Sequence, residues 1–591
     1  MTEYQNPQQD PGAQKRLMLT FLLVFVAIAA MQYLLPKPQP PQQQKQSTPQ
    51  QQPAGTATPA VAATAKPSKP SPQPPPAAKR KEPPKQAAAE TEAILENDDY
   101  RIVFTNHGAV AKSWVLKKFK DEKGKPLDLV NSVAAPTLGF PLSFFAYDKD
   151  LEKKLNEAMY VSSSTGQSGT GSITFEYSDG EITARKTFRA DQGYVVAIDT
   201  EVARNGQRIT AYPQWPGGLG DQASLSSYSA SRIDWYQDGN VERKTPVSGF
   251  VLTGRKWVAG GQTLNGPFQW AGTGDRYFFA AFMPESPKDT ALVTLNNQIE
   301  VPRDPANSKD TVKEKVSVLG LAFGNTTGLN RMRVFAGPKA VNVLDETHAQ
   351  PGGPDLRATL DFGMFGFIAR PLFLWLKWTY EHWIHNWGWA IAFLTLVITM
   401  ALLPLRVASM KSSLKMQKIQ PQVKAITEKY KRYSITDPRR QEMQREMSEL
   451  YKREGVNPVG GCFPMLLQMP FLFAFYSMLG NAIELRLANW LWIKDLSAPD
   501  PLHILPIAIV VTMFVMQRST PQAGMDPAQQ KMLNLMGPLM IGYISWFVAA
   551  GLCIYWAISN LLGYVQQLVI NRSELGQQVR KAQERRATRK K

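Results

Sequence analysis

At 591 residues the chain exceeds what one hydrophobic core normally supports, so several domains are expected. Its 67 Lys and Arg against 49 Asp and Glu leave a net charge of +18, which points to an anionic partner such as nucleic acid, a ribosome or an acidic membrane surface. The two cysteines, Cys462 and Cys553, both sit in apolar runs; this excludes a disulfide scaffold and a multi-cysteine zinc or iron–sulfur site, and the five histidines leave little for another metal centre, so no cofactor is expected.

Residues 1–16 are polar and end in Lys15-Arg16, and Leu17 to Leu35 is a stretch of nineteen uncharged residues, close to the ~20 that cross a bilayer. Ala27-Ile28-Ala29 offers a signal-peptidase reading, but the apolar run continues past it, so an uncleaved anchor over 17–35 is expected. Residues 36–90 form a linker; fifteen of the 44 prolines fall in 36–85, mixed with Gln, Ala, Ser and Lys, a composition that buries no core.

From 91 to 345 the pattern becomes short alternating runs, such as Ser172–Tyr177 and Tyr194–Asp199, separated by turn signals including Ser178-Asp179-Gly180 and Asn205-Gly206. Period-two alternation with frequent turns predicts a large antiparallel β-sandwich. It carries no nucleophile elbow, metal spacing or phosphate-cradling glycine loop. Asp234 and Glu242 can be paired on paper as glycosidase carboxylates; solvated surface is the expected role of both.

The last third reads as a membrane domain. Spans are expected at 387–405, 460–483, 503–517, 532–548 and 551–571, the last two because a 40-residue charge-free run of ~60 Å must fold back, near Val548–Gly551. With the anchor this makes six. The loop 406–454 holds 13 Lys and Arg against six acids and the tail 572–591 eight against two, so both are expected to be cytoplasmic. Parity then puts the β domain on the opposite face, the periplasm in a bacterium. Residues 357–386, aromatic and with Arg370, Lys377 and Glu381 on one helical face, are predicted to be an interfacial amphipathic helix. The loops 484–502 and 518–531 connect spans. The short fourth span and Pro501, Pro506 and Pro538 predict local thinning of the bilayer.

Within 406–454, Ile419, Val423, Ile426, Tyr430 and Tyr433 step by fours and threes, a coiled-coil seam that Met443, Met447 and Leu450 continue after a break capped by Asp437-Pro438. A helical hairpin is predicted, with Lys429, Lys431, Arg432, Arg439 and Arg440 at its tip as a docking cluster. The tail residues Arg580, Lys581, Arg585, Arg586, Arg589, Lys590 and Lys591 are expected to meet a ribosome or anionic phospholipids.

Thr399, Gln468, Thr512 and Asn560 all fall at calculated depths of roughly 7 to 16 Å below the cytoplasmic ends of four spans. Polar groups in lipid are costly, so they should face water in a groove or one another in a packed bundle.

Asn457-Pro458-Val459-Gly460-Gly461-Cys462-Phe463-Pro464 with Leu467-Gln468-Met469-Pro470, then Leu491–Ser497, Asp526–Met532 and Ile558–Leu562 follow one another in an order that strongly resembles the YidC/Oxa family of membrane protein insertases. The likeness covers about residues 360–570, and the β domain resembles the periplasmic domain of Gram-negative members. It implies a polytopic α-helical insertase and chaperone that takes nascent membrane proteins from ribosomes or the Sec translocon. Such an insertase needs no nucleotide or covalent chemistry and works through a hydrophilic inner-leaflet groove, here Thr395, Thr399, Gln468, Thr512, Tyr555, Trp556, Ser559 and Asn560. The family commonly has an arginine where this chain has Thr399. That departure predicts a groove acting by hydration, with Arg406, ~10 Å nearer the cytosol, snorkelling to headgroups. A secondary transporter is the alternative from another class, but two corresponding halves are not visible; a sugar-binding or hydrolytic β domain is the weaker one.

Overall fold

The computed structural model describes residues 83–578 except 122, 166–170, 223–227, 229, 246, 249–255, 258–259, 303–312, 431–432, 434–436, 457–462, 520–526 and 575. The anchor 17–35, almost all of the linker, Lys431 and Arg432, and the basic residues from Arg580 to Lys591 lie outside the described residues.

The β domain is built from antiparallel sheets. One runs from Asn240–Lys244 through Arg232–Gln237, Trp270–Gly274, Phe278–Pro284, Leu329–Pro338, Val195–Arg204, Ile182–Ala190 and Ser172–Ser178 to Val161–Thr165. A second centres on the long hairpin of Thr290–Pro302 with Lys313–Asn325. Turn chemistry sets two of the connections. Asn205-Gly206 and Asp238-Gly239 all have positive φ, the paired left-handed geometry that two-residue hairpins need. The inward residues of both sheets share one core; Phe282 of the first and Phe323 of the second have ring centroids 6.3 Å apart. A four-stranded sheet, Glu92–Asp128, closes one end, with Trp114 against Trp215.

Buried ionisable groups, among them Lys186, Asp234, Asp275 and Lys339, pin this domain. Lys186 is fully buried and donates to the carbonyls of Gly108, Ala109 and Leu142 at 2.8–3.1 Å, its ammonium over the Phe144 ring. Burial pushes its pKa well below that of a free lysine. Asp234 is not surface: it is fully buried, 3.0 Å from Arg232 and 3.8 Å from Arg243. Its strand partner is Arg243, whereas Glu242 pairs with Trp235, so alternation sends the two carboxylates to opposite faces of the sheet. A glycosidase pair is thereby ruled out. Lys339 is buried as well and donates to the Asp275 carbonyl.

Among the described residues eight helices follow: α1 Gly366–His382, α2 Trp387–Ala401, α3 Leu403–Lys429, α4 Arg439–Arg453, α5 Phe463–Asn481, α6 Ile504–Ser519, α7 Pro527–Ser545 and α8 Ala550–Asn571. On α1, Ala369, Leu372, Phe373, Leu376 and Thr379 form the buried stripe, while Phe367, Trp375 and Trp378 are exposed. Asn386 caps α2 by accepting the Trp389 N–H. The helix breaks at Leu402, next to Pro404, which has no N–H to continue the ladder. Among the described residues only α8 is by itself long and apolar enough to cross a membrane; α2 with the start of α3 qualifies as one bent pair, and α6 is a shorter apolar helix. The turn between α7 and α8 spans 546–549, slightly before the expected position.

The α3–α4 pair buries Ile419, Val423, Tyr430, Met443 and Leu450. At its tip the cations have partners within the hairpin. Lys429 bonds Glu446 at 2.6 Å and holds that carboxyl below its usual range, and Arg439 pairs with Asp437 at 3.1 Å.

Two outcomes follow. Burial, with Arg232 beside it, pushes Lys339 down to about 7. A base that binds its proton less tightly folded than unfolded makes stability rise with pH, here from about 7 toward the ordinary lysine value. Calorimetry of the full chain in detergent should therefore show stability rising more steeply above about pH 7 in the wild type than in Lys339→Met; equal slopes would contradict this. Separately, a methyl group at Gly388 would collide with the rigid Trp490 ring. Gly388→Ala should cost about 1–3 kcal/mol, read as a lowered melting temperature.

Candidate functional site

The side chains expected to line a groove divide once their bonds are traced. Thr395 is fully buried and gives its hydroxyl hydrogen to Ile391 O at 2.7 Å, four residues back on its own helix. Thr512 does the same toward Ala508 O at 2.7 Å. Neither offers its donor to a neighbouring helix. Thr399 is buried, as are Tyr555, Trp556 and Ser559, and Asn560 is half-buried.

Arg406 replaces the threonines at the centre of the site. Its side chain turns toward the neighbouring helix α5. Its Nη2 donates to Gln468 Oε1 of α5 at 3.4 Å, and the Tyr555 hydroxyl of α8 reaches the same Gln468. Tyr555 in turn stacks on Phe475 with ring centroids 4.2 Å apart. Gly563 of α8 lies beside this pair, in van der Waals range of Arg406 Nη1 and close to Met516 Sδ of α6, where α3, α5, α6 and α8 converge.

The α8 face that carries Gly563 is polar along its length. Ser559 and Asn560 lie one turn before it and Gln566 and Gln567 one turn after it, at the i±3 and i±4 spacings that share a face. Gln566 and Gln567 are both buried; Gln567 Nε2 donates to Asn571 at 2.7 Å, while both amide atoms of Gln566 and the Oε1 of Gln567 have no protein partner. An unsatisfied buried amide costs about 1–3 kcal/mol, so these groups call for water or a polar ligand. The opposite faces are apolar and exposed. Ile504, Ile507, Val511 and Val515 form one stripe on α6, and Leu561, Val565 and Val569 another on α8.

Sequence reading missed Arg406 as an inward group, and with it Gln566, Gln567 and Gly563. Spacing alone signals the last three, since they continue the Ser559–Asn560 face; the direction of the arginine has no sequence signal. The docking residues Lys429 and Arg439 lie on the hairpin, away from this face; Arg440 is the second residue of α4, and its side chain is outside the described residues.

Two family descriptions match the chain one after the other: YidC periplasmic domain over residues 93–375 and 60Kd inner membrane protein over 378–577. The chain belongs to the YidC family of membrane protein insertases. It is 32% identical over 506 residues to a membrane protein insertase YidC of Citrifermentans bemidjiense, covering 82% of this chain and 86% of that one. To its counterpart in Geotalea daltonii it is 30% identical over 581 residues, 95% of this chain and 99% of the other. A solved structure described as an active YidC insertase with the first transmembrane domain resolved is 19% identical, covering 84% of this chain and 96% of that one at a TM-score of 0.34. Insertases of this family are not catalytic enzymes, in keeping with a site built of an arginine, amides and hydroxyls.

If the polar face of α8 is wet, single cysteines placed on it will react with a water-soluble maleimide. In a chain with Cys462 and Cys553 replaced by alanine, Ser559→Cys and Gln566→Cys should be labelled in proteoliposomes, and Val565→Cys and Val569→Cys protected. Equal protection at all four would indicate dry interhelical packing instead.

Proposed function

We propose that the protein inserts and folds hydrophobic segments of nascent membrane proteins in the bacterial inner membrane, through a hydrophilic groove centred on Arg406, Gln468 and Tyr555. The observation that carries this reading is the inside-out polarity of the bundle: a bonded guanidinium and unpartnered buried amides within, stripes of apolar side chains without. Exposed apolar stripes at helical spacing need a covering, and lipid supplies it on several helices at once. Six spans accommodate this arrangement, with α2, α5, α6, α7 and α8 as five of them and residues 17–35 as the first. The 13 cations of 406–454 put that hairpin and the tail in the cytoplasm and the β domain in the periplasm.

In this reading the groove acts by charge as well as by water. A translocated segment that carries a carboxylate exchanges part of its hydration for Arg406 and the amides, and its apolar neighbours pass outward between the helices into lipid. Helix α6, 16 residues and ~24 Å long, is shorter than a ~30 Å hydrocarbon layer and favours local thinning, which shortens the path a polar segment must cross. No nucleotide is consumed; the gain comes from transfer of apolar side chains into lipid. Nascent chains on ribosomes or at the Sec translocon are the sources, and the tail contacts ribosomal RNA or anionic phospholipid by charge.

Protease protection of a reporter with a short acidic N-terminal tail, inserted into vesicles, tests the assignment. A charge-assisted hydrogen bond is worth about 1.5–3 kcal/mol, so Arg406→Gln should lower insertion roughly tenfold or more. Thr399→Val should have a smaller effect. Full insertion by Arg406→Gln, with loss in Thr399→Val, would restore a groove that works by hydration alone.

A further inference from the structure

The β domain and the helical bundle exchange residues. Just beyond α5, Ile483 is buried among the core side chains of the β domain, and Val341, which opens the short helix Val341–Ala349 of that domain, is buried in the core of the bundle. Leu360 packs against both. Polar contacts surround this interlock. Arg276 Nη1 donates to Gly480 O at 3.4 Å, Asn481 Nδ2 to Asp361 O at 2.9 Å, and Arg486 Nη1 to Lys120 O at 2.7 Å. The Arg486 guanidinium also lies over the Phe278 ring, 5.7 Å from its centroid. Asp361 is itself held, 3.4 Å from Arg243, and Arg232 and Arg243 donate to the carbonyls of Thr359 and Ala358. The segment that leads from the β domain into α1 is thus tied both to the edge strands of the large sheet and, through Asp361, to the end of α5.

We propose that Gly480–Arg486 is a clamp by which the β domain sets the position of α5, making Ile483, Asn481 and Arg486 positioning residues for the groove. The argument is mechanical. Gln468, the partner of Arg406, is on the same helix as Asn481, thirteen residues or ~20 Å away. The outer end of α5 is held by Arg276 and the Asp361 carbonyl, and the residues just beyond it by the Lys120 carbonyl and by Ile483, which is sunk in the β-domain core. Pro470 removes one backbone hydrogen bond near Gln468, so the axis direction is set by the longer outer part, which is the clamped part. Interaction with a large rigid sheet confines that axis more closely than lipid does. The consequence for insertion rests on the groove reading above; the clamp itself does not.

The test uses the full chain in lipid nanodiscs and vesicles. Spin labels at Lys149→Cys in the β domain and Val565→Cys in the bundle, both exposed sites, report the distance between the two parts in a background lacking the native cysteines. The wild type should give one narrow distribution. Asn481→Asp with Arg486→Met removes two donors and should broaden it, and insertion of the reporter should fall roughly three- to tenfold. Asn481→Gln with Arg486→Lys keeps a donor at each site and should restore both readouts, which a merely damaged fold would not. If the first pair does not fold, Ile483→Ala is read in the same way. A distribution unchanged by clamp variants overturns the proposal, and so does a broadened one with full insertion. Gln468→Leu separates the two readings: full insertion by that variant is a failure of the groove, while the distance measurement still decides the clamp.

Discussion

A polar side chain inside an apolar bundle must be satisfied there or must have water brought to it, and the organisation of this protein depends on how that constraint is met. Thr395 and Thr512 meet it locally, returning their hydroxyls to their own helices. Arg406 meets it across helices, through Gln468. Gln566 does not meet it within the protein at all. The cost of that unfilled requirement is the physical reason for expecting a wet face, and a wet face beside lipid is what a partly polar segment needs in order to leave water gradually.

The β domain applies the same constraint in the opposite sense. Its buried charges are held by several partners at once: Lys186 by three carbonyls, Asp234 by two arginines. Such groups stabilise little in net terms, because desolvation offsets their attraction, but they make misregistered alternatives expensive. A large antiparallel sheet has many near-equivalent registers. Buried ions that pair in only one of them select it.

Much of this was legible from residue order. Asn205-Gly206 marked a hairpin because both residues tolerate positive φ, and the seam from Ile419 to Leu450 was readable because helical periodicity is a property of spacing. The family was legible from four motifs in order. What was not legible depended on direction in three dimensions. Arg406 looked like a snorkelling residue at a helix end, since nothing in the sequence tells that Gln468 of α5 stands within its reach. Asp234 looked like surface because one of its arginine partners, Arg243, is brought to it only by strand pairing. Ile483 looked like the last residue of a span; that it enters the core of another domain follows from how two bodies meet, which local pattern does not encode.

The short helices and the firm attachment to the β domain belong together. A bundle of helices only 15 to 22 residues long, several carrying proline, has limited internal stiffness to hold a charged group at a fixed depth. Lengthening the helices would supply stiffness but would also thicken the membrane beside them and raise the barrier to a polar segment. Fixing the outer end of α5 to a sheet supplies the stiffness from outside the bilayer and leaves the spans short. On this view the β domain does not act on the substrate: its contribution is to let the bundle remain thin enough to work while Arg406 and Gln468 stay within reach of each other.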